Sequence, residues 1–204
     1  DAAERLRALC QNQGMERSAV KEGKIELTAA ADGLFLVDRR RLNAVNALED
    51  VMIATRHGST PVRKGDKLAG MRVIPLVIEE ETLRRAETAA GGKPLLELLP
   101  WKLKTAAIIT TGSEVAKGLI QDSFTPVVEK KLAEFGIQTI HHCLPGDDIE
   151  AVKNAVLEAK AAHPDLILCT GGMSVDPDDN TPGAVKRSGA RIVAYGAPVL
   201  PGAM

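Results

Sequence analysis

Aromatic side chains are nearly missing from this 204-residue chain, with one Trp, one Tyr and three Phe. A platform for stacking nucleic-acid bases is therefore excluded, and a net charge of −1 excludes binding driven by bulk positive charge. No apolar run reaches the ~20 residues of a membrane span, and no signal-peptide pattern is present. Cysteine is scarce. Cys10, Cys143 and Cys169 are odd in number and share no metal-ligand spacing, so neither a closed disulfide framework nor a zinc site follows. They read as reduced thiols of a cytoplasmic protein, with Cys143 and Cys169 as small core residues in strands. The chain opens on Asp1 rather than methionine, which implies a fragment of a longer protein.

What is present is an ordinary globular composition, 45% hydrophobic and 26% charged, enough for one large domain or two small ones. Residues 1–90 read as a small, β-rich α+β domain. Leu6, Leu9 and Cys10 share a helical face near the start. Short strands are expected at Ile25–Thr28, Leu34–Val37 and Val51–Ala54, with a helix over Asp38–Ala47. Two short strands about a Lys64-Gly65-Asp66 turn are expected between Val62 and Leu68. A stronger strand is expected over Met71–Ile78, with Pro75 marking an edge or bulge. Arg39-Arg40-Arg41 reads as a solvated helix face. A helix over Glu79–Ala90 ends in Gly91-Gly92-Lys93-Pro94, and residues 91–103 read as an interdomain linker.

From residue 104 the pattern becomes a regular alternation. Strands are expected at Ala106–Ile109, Ile137–Cys143, Leu166–Thr170 and Arg191–Tyr195. Helices are expected at Ser123–Phe135, Asp147–Ala162 and Thr181–Arg187, with Asp147 and Glu150 as a capping box. Such alternation predicts an α/β domain over 104–204, a parallel sheet with helices on both faces.

In a parallel sheet every strand ends on one edge, and three loops meet there. The first runs from Thr110 through Thr111, Gly112, Ser113 and Glu114 to Asp122-Ser123. The second is Pro145 to Asp148. The third runs from Gly171-Gly172 through Ser174, Asp176, Asp178 and Asp179 to Thr181. Glycines let backbone N–H groups approach an anion, and Thr111, Ser113 and Ser174 add hydroxyl donors, which suits a phosphate. Carboxylates repel a phosphate unless a divalent cation stands between them. Mg²⁺ typically takes one or two carboxylates together with phosphate oxygens, so the mixture points to a phosphorylated ligand and Mg²⁺-assisted chemistry. Helix capping accounts for about half of these acids by position alone. His141 and His142 read as satisfied or surface histidines in a strand.

These pieces resemble the molybdenum-cofactor biosynthesis domain, the molybdopterin-binding fold of molybdopterin adenylyltransferases and molybdenum insertases. The resemblance rests on Thr110-Thr111-Gly112-Ser113-Glu114, Asp122-Ser123, Asp147-Asp148, the run from Thr170 to Pro182, and the closing Pro198 to Met204 segment. It implies molybdopterin as ligand or substrate, with Mg²⁺ and ATP as companions. Asp122 and Asp179 would place the metal, and Glu114 would assist them. Thr111, Gly112, Ser113, Ser123, Asp147, Asp148, Gly171, Gly172, Ser174, Asp176 and Thr181 would hold the ligand. It also implies a homo-oligomer, with Leu98, Leu99, Trp101 and Leu103 as a candidate contact, and other cofactor-assembly proteins as partners. The chain departs from the family at Asp176, where a glycine is usual, and at Ser113, where an acid is frequent. Three readings follow: a transferase of cofactor assembly, a carrier or sensor that only binds, and a nucleotide pyrophosphatase of the nicotinamide-nucleotide recycling type.

Overall fold

The computed structural model describes residues 1–173 and 180–194. The chain folds as two compact units, Asp1–Trp101 and Lys102–Met204.

The N-terminal unit is built on two antiparallel sheets. One has the order β1 (Met15–Arg17), β2 (Lys24–Ala29), β6 (Lys67–Val73), β4 (Val51–Thr55). The other has the order β5 (Thr60–Val62), β3 (Gly33–Val37), β7 (Leu96–Pro100). Three helices, α1 (Ala2–Cys10), α2 (Arg39–Asn46) and α3 (Glu80–Ala90), complete the unit. Leu6 and Cys10 of α1, Ile25 and Leu27 of β2, Met71 of β6 and Phe35 of β3 are each fully buried in one core. Each large apolar side chain so buried stabilises the unit by about 1.5–3 kcal/mol. Helix α3 ends on Gly91 in the left-handed conformation (φ 68°), the usual geometry of a glycine stop.

Three expectations change here. The segment 91–103 is not a linker, because Leu96–Pro100 forms β7 and pairs along its length with β3. Its inward residues Leu96 and Leu98 belong to the core, leaving Leu99 and Leu103 as the exposed members of that apolar group. The strands either side of Lys64-Gly65-Asp66 do not pair with each other, since β5 joins β3 whereas β6 joins β2 and β4. And β6 begins at Lys67 and stops at Val73, before Pro75. It is a central strand, as the absence of proline within it permits.

The C-terminal unit is α/β. Its strands β8 (Thr105–Thr110), β9 (Gln138–Cys143) and β10 (Leu166–Thr170) form a parallel sheet in the order β10-β8-β9. The unit also contains the four-residue helix α4 (Ser113–Ala116), α5 (Phe124–Glu134), α6 (Ile149–Ala161) and α7 (Thr181–Arg187). Strand alternation sorts side chains to two faces. Ala106 and Ile108 of β8 pack with Leu132 and Val128 of α5. Ala107 and Ile109 pack on the other side with Ala155, Val156 and Ala159 of α6 and Val185 of α7. Helices therefore cover both faces, as the alternation of elements requires. Residues 191–194 form no strand, and Tyr195 lies outside the described residues.

Candidate functional site

The site grows from the end of β8, at its last residue Thr110 and the next residue Thr111. Thr110 and Thr111 are both buried, 2% and 6% exposed, and alternation sends them to opposite faces of the sheet. On the α5 side, the Thr110 hydroxyl meets the Thr125 hydroxyl at 2.8 Å. Thr125 in turn lies 3.0 Å from His142 Nε2, and His142 Nε2 lies 3.8 Å from Asp122 Oδ2. The other oxygen of Asp122, Oδ1, accepts the backbone N–H groups of Phe124 (2.9 Å) and Thr125 (3.0 Å), so Asp122 rather than Ser123 supplies the side-chain cap of α5. Burial leaves the Asp122 side chain 14% exposed. That burial pulls its pKa up, but the Thr125 hydroxyl, the two N–H groups and His142 outweigh it and hold the carboxylate below its ordinary range.

On the other side, Thr111 Oγ1 donates to the carbonyl of Thr170 (3.0 Å) and stands 3.4 Å from Thr181 Oγ1. Thr181 Oγ1 donates to the carbonyl of Gly171 (3.0 Å), and its N–H reaches the carbonyl of Gly172 (3.2 Å). The first and third loops are thus joined by hydroxyls. Gly171 has φ 88°, and a Cβ built on it would sit 2.5 Å from the carbonyl oxygen of Thr111. Backbone approach this close requires glycine.

The second loop is fixed to the first by charge. Asp147 Oδ2 accepts the N–H of Ser113 at 2.7 Å. The cap of α6 is Asp148, whose Oδ1 accepts the N–H groups of Glu150 and Ala151. The expected Asp147–Glu150 capping box is therefore corrected by one residue. Glu114 sits on α4, a helix inside what reads in the sequence as a continuous loop. Gly112 is the residue preceding that helix.

Thr111, Gly112, Ser113, Asp122, Ser123, Asp147, Asp148, Gly171, Gly172 and Thr181 accordingly stand at the carboxyl ends of the strands and the helix starts beside them. Ser174, Asp176, Asp178 and Asp179 lie outside the described residues. Among the described residues, no three His, Cys, Asp or Glu side chains converge on one point as a metal cage would require. Asp122 keeps one oxygen, Oδ2, clear of backbone donors, and a carboxylate oxygen is the type of ligand Mg²⁺ takes singly or in pairs. Sequence reasoning misses Thr125, and it has Thr110 only as the start of the first loop and His142 only as a satisfied or surface strand histidine. Their only signal is position: a strand-end threonine, a threonine in the first turn of the next helix, and the histidine whose ladder partner is Ile108. Thr170 enters the sequence reading only as the start of the third motif; among the described residues its Oγ1 is buried with no hydrogen-bond partner, as is His141 Nε2. Beside Thr181 an apolar groove of about 400 Å³ is lined by Cys169, Met173, Pro182, Val185, Ile192 and Val193.

The sequence that builds this edge has known relatives. Residues 107–203 match the family model of the probable molybdopterin binding domain. The match falls on the α/β unit and takes in all three loops. Over 86 residues the chain is 38% identical to a CinA-like protein of Pseudothermotoga lettingae, a stretch covering 42% of this chain and 21% of that protein. It is 32% identical over 82 residues to a probable FAD synthase of Caenorhabditis briggsae, covering 40% of this chain and 16% of that one. Among solved structures, the tungsten cofactor synthesizing protein MoaB from Pyrococcus furiosus is 26% identical with a TM-score of 0.40, over 43% of this chain and 54% of that chain. The chain thus spans about a fifth of the length of these curated relatives. No helix among the described residues is long and apolar enough to cross a membrane.

Proposed function

We propose that the carboxyl edge of the β10-β8-β9 sheet binds molybdopterin, with the terminal phosphate held by the first and third loops. The observation that carries this reading is the tying of three loops at that edge, Ser113 N–H to Asp147 and Thr111 to Thr181, in the stretch matched by the molybdopterin-binding family. The backbone donors around Gly171-Gly172, and the Thr170 hydroxyl, which has no partner among the described residues, suit phosphate oxygens. The apolar groove beside Thr181 offers a flat heterocycle a wall to lie on. In the same reading Ser174 and Asp176 complete the third loop, and Asp122, with Asp179, holds Mg²⁺. When bound, Mg²⁺ would neutralise phosphate charge. Asp122 is held ionised for that by the N–H groups of Phe124 and Thr125, and Glu114 stands on α4 at the same loop.

Adenylylation of the bound pterin with MgATP, or insertion of molybdate, is the catalytic form of this proposal. Assembly as a homo-oligomer and work alongside other cofactor-assembly proteins in the cytoplasm belong to it. A second reading, chemistry on an adenine-dinucleotide phosphate, is favoured by the similarity to a probable FAD synthase. The deciding experiment is molybdopterin binding by the full-length protein with and without MgATP, alongside incubation with ADP-ribose. Saturable molybdopterin binding supports the first reading, and MgATP-dependent release of pyrophosphate selects its catalytic form. Release of AMP from ADP-ribose without molybdopterin binding selects the second.

A further inference from the structure

The N-terminal unit has a cleft of its own, of about 300 Å³ and of mixed polar and apolar lining, opening between α2 and the turn that follows β4. Its wall is made by Val37 of β3, by Arg39, Leu42 and Asn43 of α2, by Thr55 at the end of β4, and by Arg56, His57 and Gly58 of the turn. We infer that this cleft is a binding site for a small phosphomonoester, independent of the site proposed for the C-terminal unit.

The charge placement is the first argument. Helix α2 starts with three arginines against one carboxylate at its N-terminus, the N-cap Asp38, which accepts the backbone N–H of Arg41 at 3.0 Å. Arg41 is fully engaged: it pairs with Asp38 at 2.8 Å and donates to the carbonyls of Ala90, Lys93 and Pro94. Among the described residues Arg39 has no such carboxylate or carbonyl partner, so no described group pairs with its charge at the cleft wall. Arg56 gives one nitrogen to Asp66 at 2.7 Å, which orients its guanidinium. On the neighbouring sheet face, by contrast, Glu26 pairs with both Lys24 and Lys67.

The second argument is donor count and rigidity. Two guanidinium groups, the Asn43 amide and the Thr55 hydroxyl supply more donors than the two oxygens of a carboxylate accept, and match the three free oxygens of a phosphomonoester. His57 Nδ1 lies 2.7 Å from the carbonyl oxygen of Gly58, which only accepts. Nδ1 therefore carries the proton, and Nε2 of the neutral ring accepts from a protonated phosphate oxygen or a hydroxyl of the ester. The turn itself is held still. Ser59 adopts φ 59° and donates its N–H to the Phe35 carbonyl at 2.8 Å, and Thr60 Oγ1 donates to the His57 carbonyl at 2.7 Å. A non-glycine residue kept in that conformation marks a turn whose shape is set by its surroundings.

The test is calorimetric titration of the full chain with inorganic phosphate at constant ionic strength, for the wild type, Arg39→Gln, Asn43→Ala and Arg40→Gln. All three positions are exposed on α2, and thermal melts check that each variant folds. The proposal expects millimolar or tighter binding by the wild type and by Arg40→Gln. It expects Arg39→Gln to weaken binding about tenfold or more, the loss from removing one charged hydrogen-bond donor, with a smaller loss in Asn43→Ala. No binding by the wild type overturns it. Binding unchanged by Arg39→Gln and Asn43→Ala also overturns it, since phosphate held in the C-terminal unit is insensitive to both. Equal losses in Arg39→Gln and Arg40→Gln overturn it too, as the mark of diffuse charge alone.

Discussion

Asp147 Oδ2 accepts the backbone N–H of Ser113 at 2.7 Å, whereas its neighbour Asp148 caps α6. Two adjacent acids thus have different duties, and substitution separates them. Asp148→Ala removes a helix cap and is expected to cost about 1 kcal/mol of stability; because the Asp148 Oδ1 is engaged in that cap rather than in the ligand contact the resemblance implies, ligand affinity should be nearly unchanged. Asp147→Ala frees the first loop from the second and is expected to weaken molybdopterin binding more than it lowers the melting temperature. Denaturant melts and ligand titration of both variants check this. The reverse pattern would show that Asp147 has no part in shaping the loop.

Gly171→Ala is expected to be severe. A Cβ there sits 2.5 Å from the Thr111 carbonyl oxygen and 2.7 Å from its hydroxyl, at φ 88°. Left-handed backbone strain adds about 1–3 kcal/mol to the steric cost. Gly136→Ala has the same sign of φ, 69°, but meets nothing within 4 Å, so it should cost only about 1–2 kcal/mol. Urea unfolding of the two variants, followed by a probe of the C-terminal unit, measures the difference.

Much of the α/β unit is legible in the sequence because its signals are redundant. Leu166–Cys169 is a continuous apolar run between polar ends, and Thr181-Pro182 marks the start of α7. The cap of α6 is misread because Asp147 and Asp148 are chemically the same, and only the contact with Ser113 N–H distinguishes them. Helix α4 is too short, at four residues, to show a period. Strand β7 is hidden because Pro94 and Pro100 bracket it like a linker, while its pairing with β3 is a contact between residues about sixty apart in sequence. The Thr110–Thr125–His142–Asp122 chain is assembled from several separate segments, and no local pattern reports it.

Acid should weaken the C-terminal unit through Asp165, at the opposite end of the strands from the loops. Its Oδ2 accepts the N–H groups of Lys104 (2.7 Å) and Thr105 (3.0 Å), and these hold its pKa below the ordinary value. A carboxylate depressed in the native state stabilises the fold above its unfolded pKa of about 3.9 and loses that contribution as pH falls through the lower native value. Asp165→Asn should therefore flatten the stability profile below about pH 4 and leave ligand binding unchanged. Melts between acid and neutral pH test the slope.

Thiol chemistry should report unfolding rather than function. Cys10 is fully buried in the N-terminal core, and burial pushes its thiol up to about 12. It should stay unmodified by a thiol reagent at mildly alkaline pH until denaturant is added. Cys143 and Cys169 are also raised by burial but only partly covered, and should react slowly in the native protein. Mass spectrometry of timed samples assigns the order, and early labelling of Cys10 would contradict the packing of α1.

The sharpest test of the Mg²⁺ proposal falls on Asp122. Its Oδ1 holds two backbone N–H groups, and only Oδ2 remains for a cation. Asp122→Asn keeps an oxygen for the cap, and asparagine caps about as well as aspartate, so folding stability should change by less than about 1 kcal/mol. The substitution removes the charge that a cation needs. If the edge site carries out Mg²⁺-dependent turnover, the rate should fall about 10²-fold or more, the scale of losing one strong electrostatic contributor, with the melt almost unmoved. Thr125→Val serves as the companion, since it breaks the hydroxyl chain to Thr110 and His142 and removes one of the groups that favour the Asp122 carboxylate, but keeps that carboxylate and its two backbone N–H donors. A metal role predicts that Asp122→Asn loses far more turnover than Thr125→Val. Equal, stability-linked losses in both would reduce Asp122 to a helix cap, and the edge would then be a molybdopterin-binding surface without Mg²⁺ chemistry at this residue.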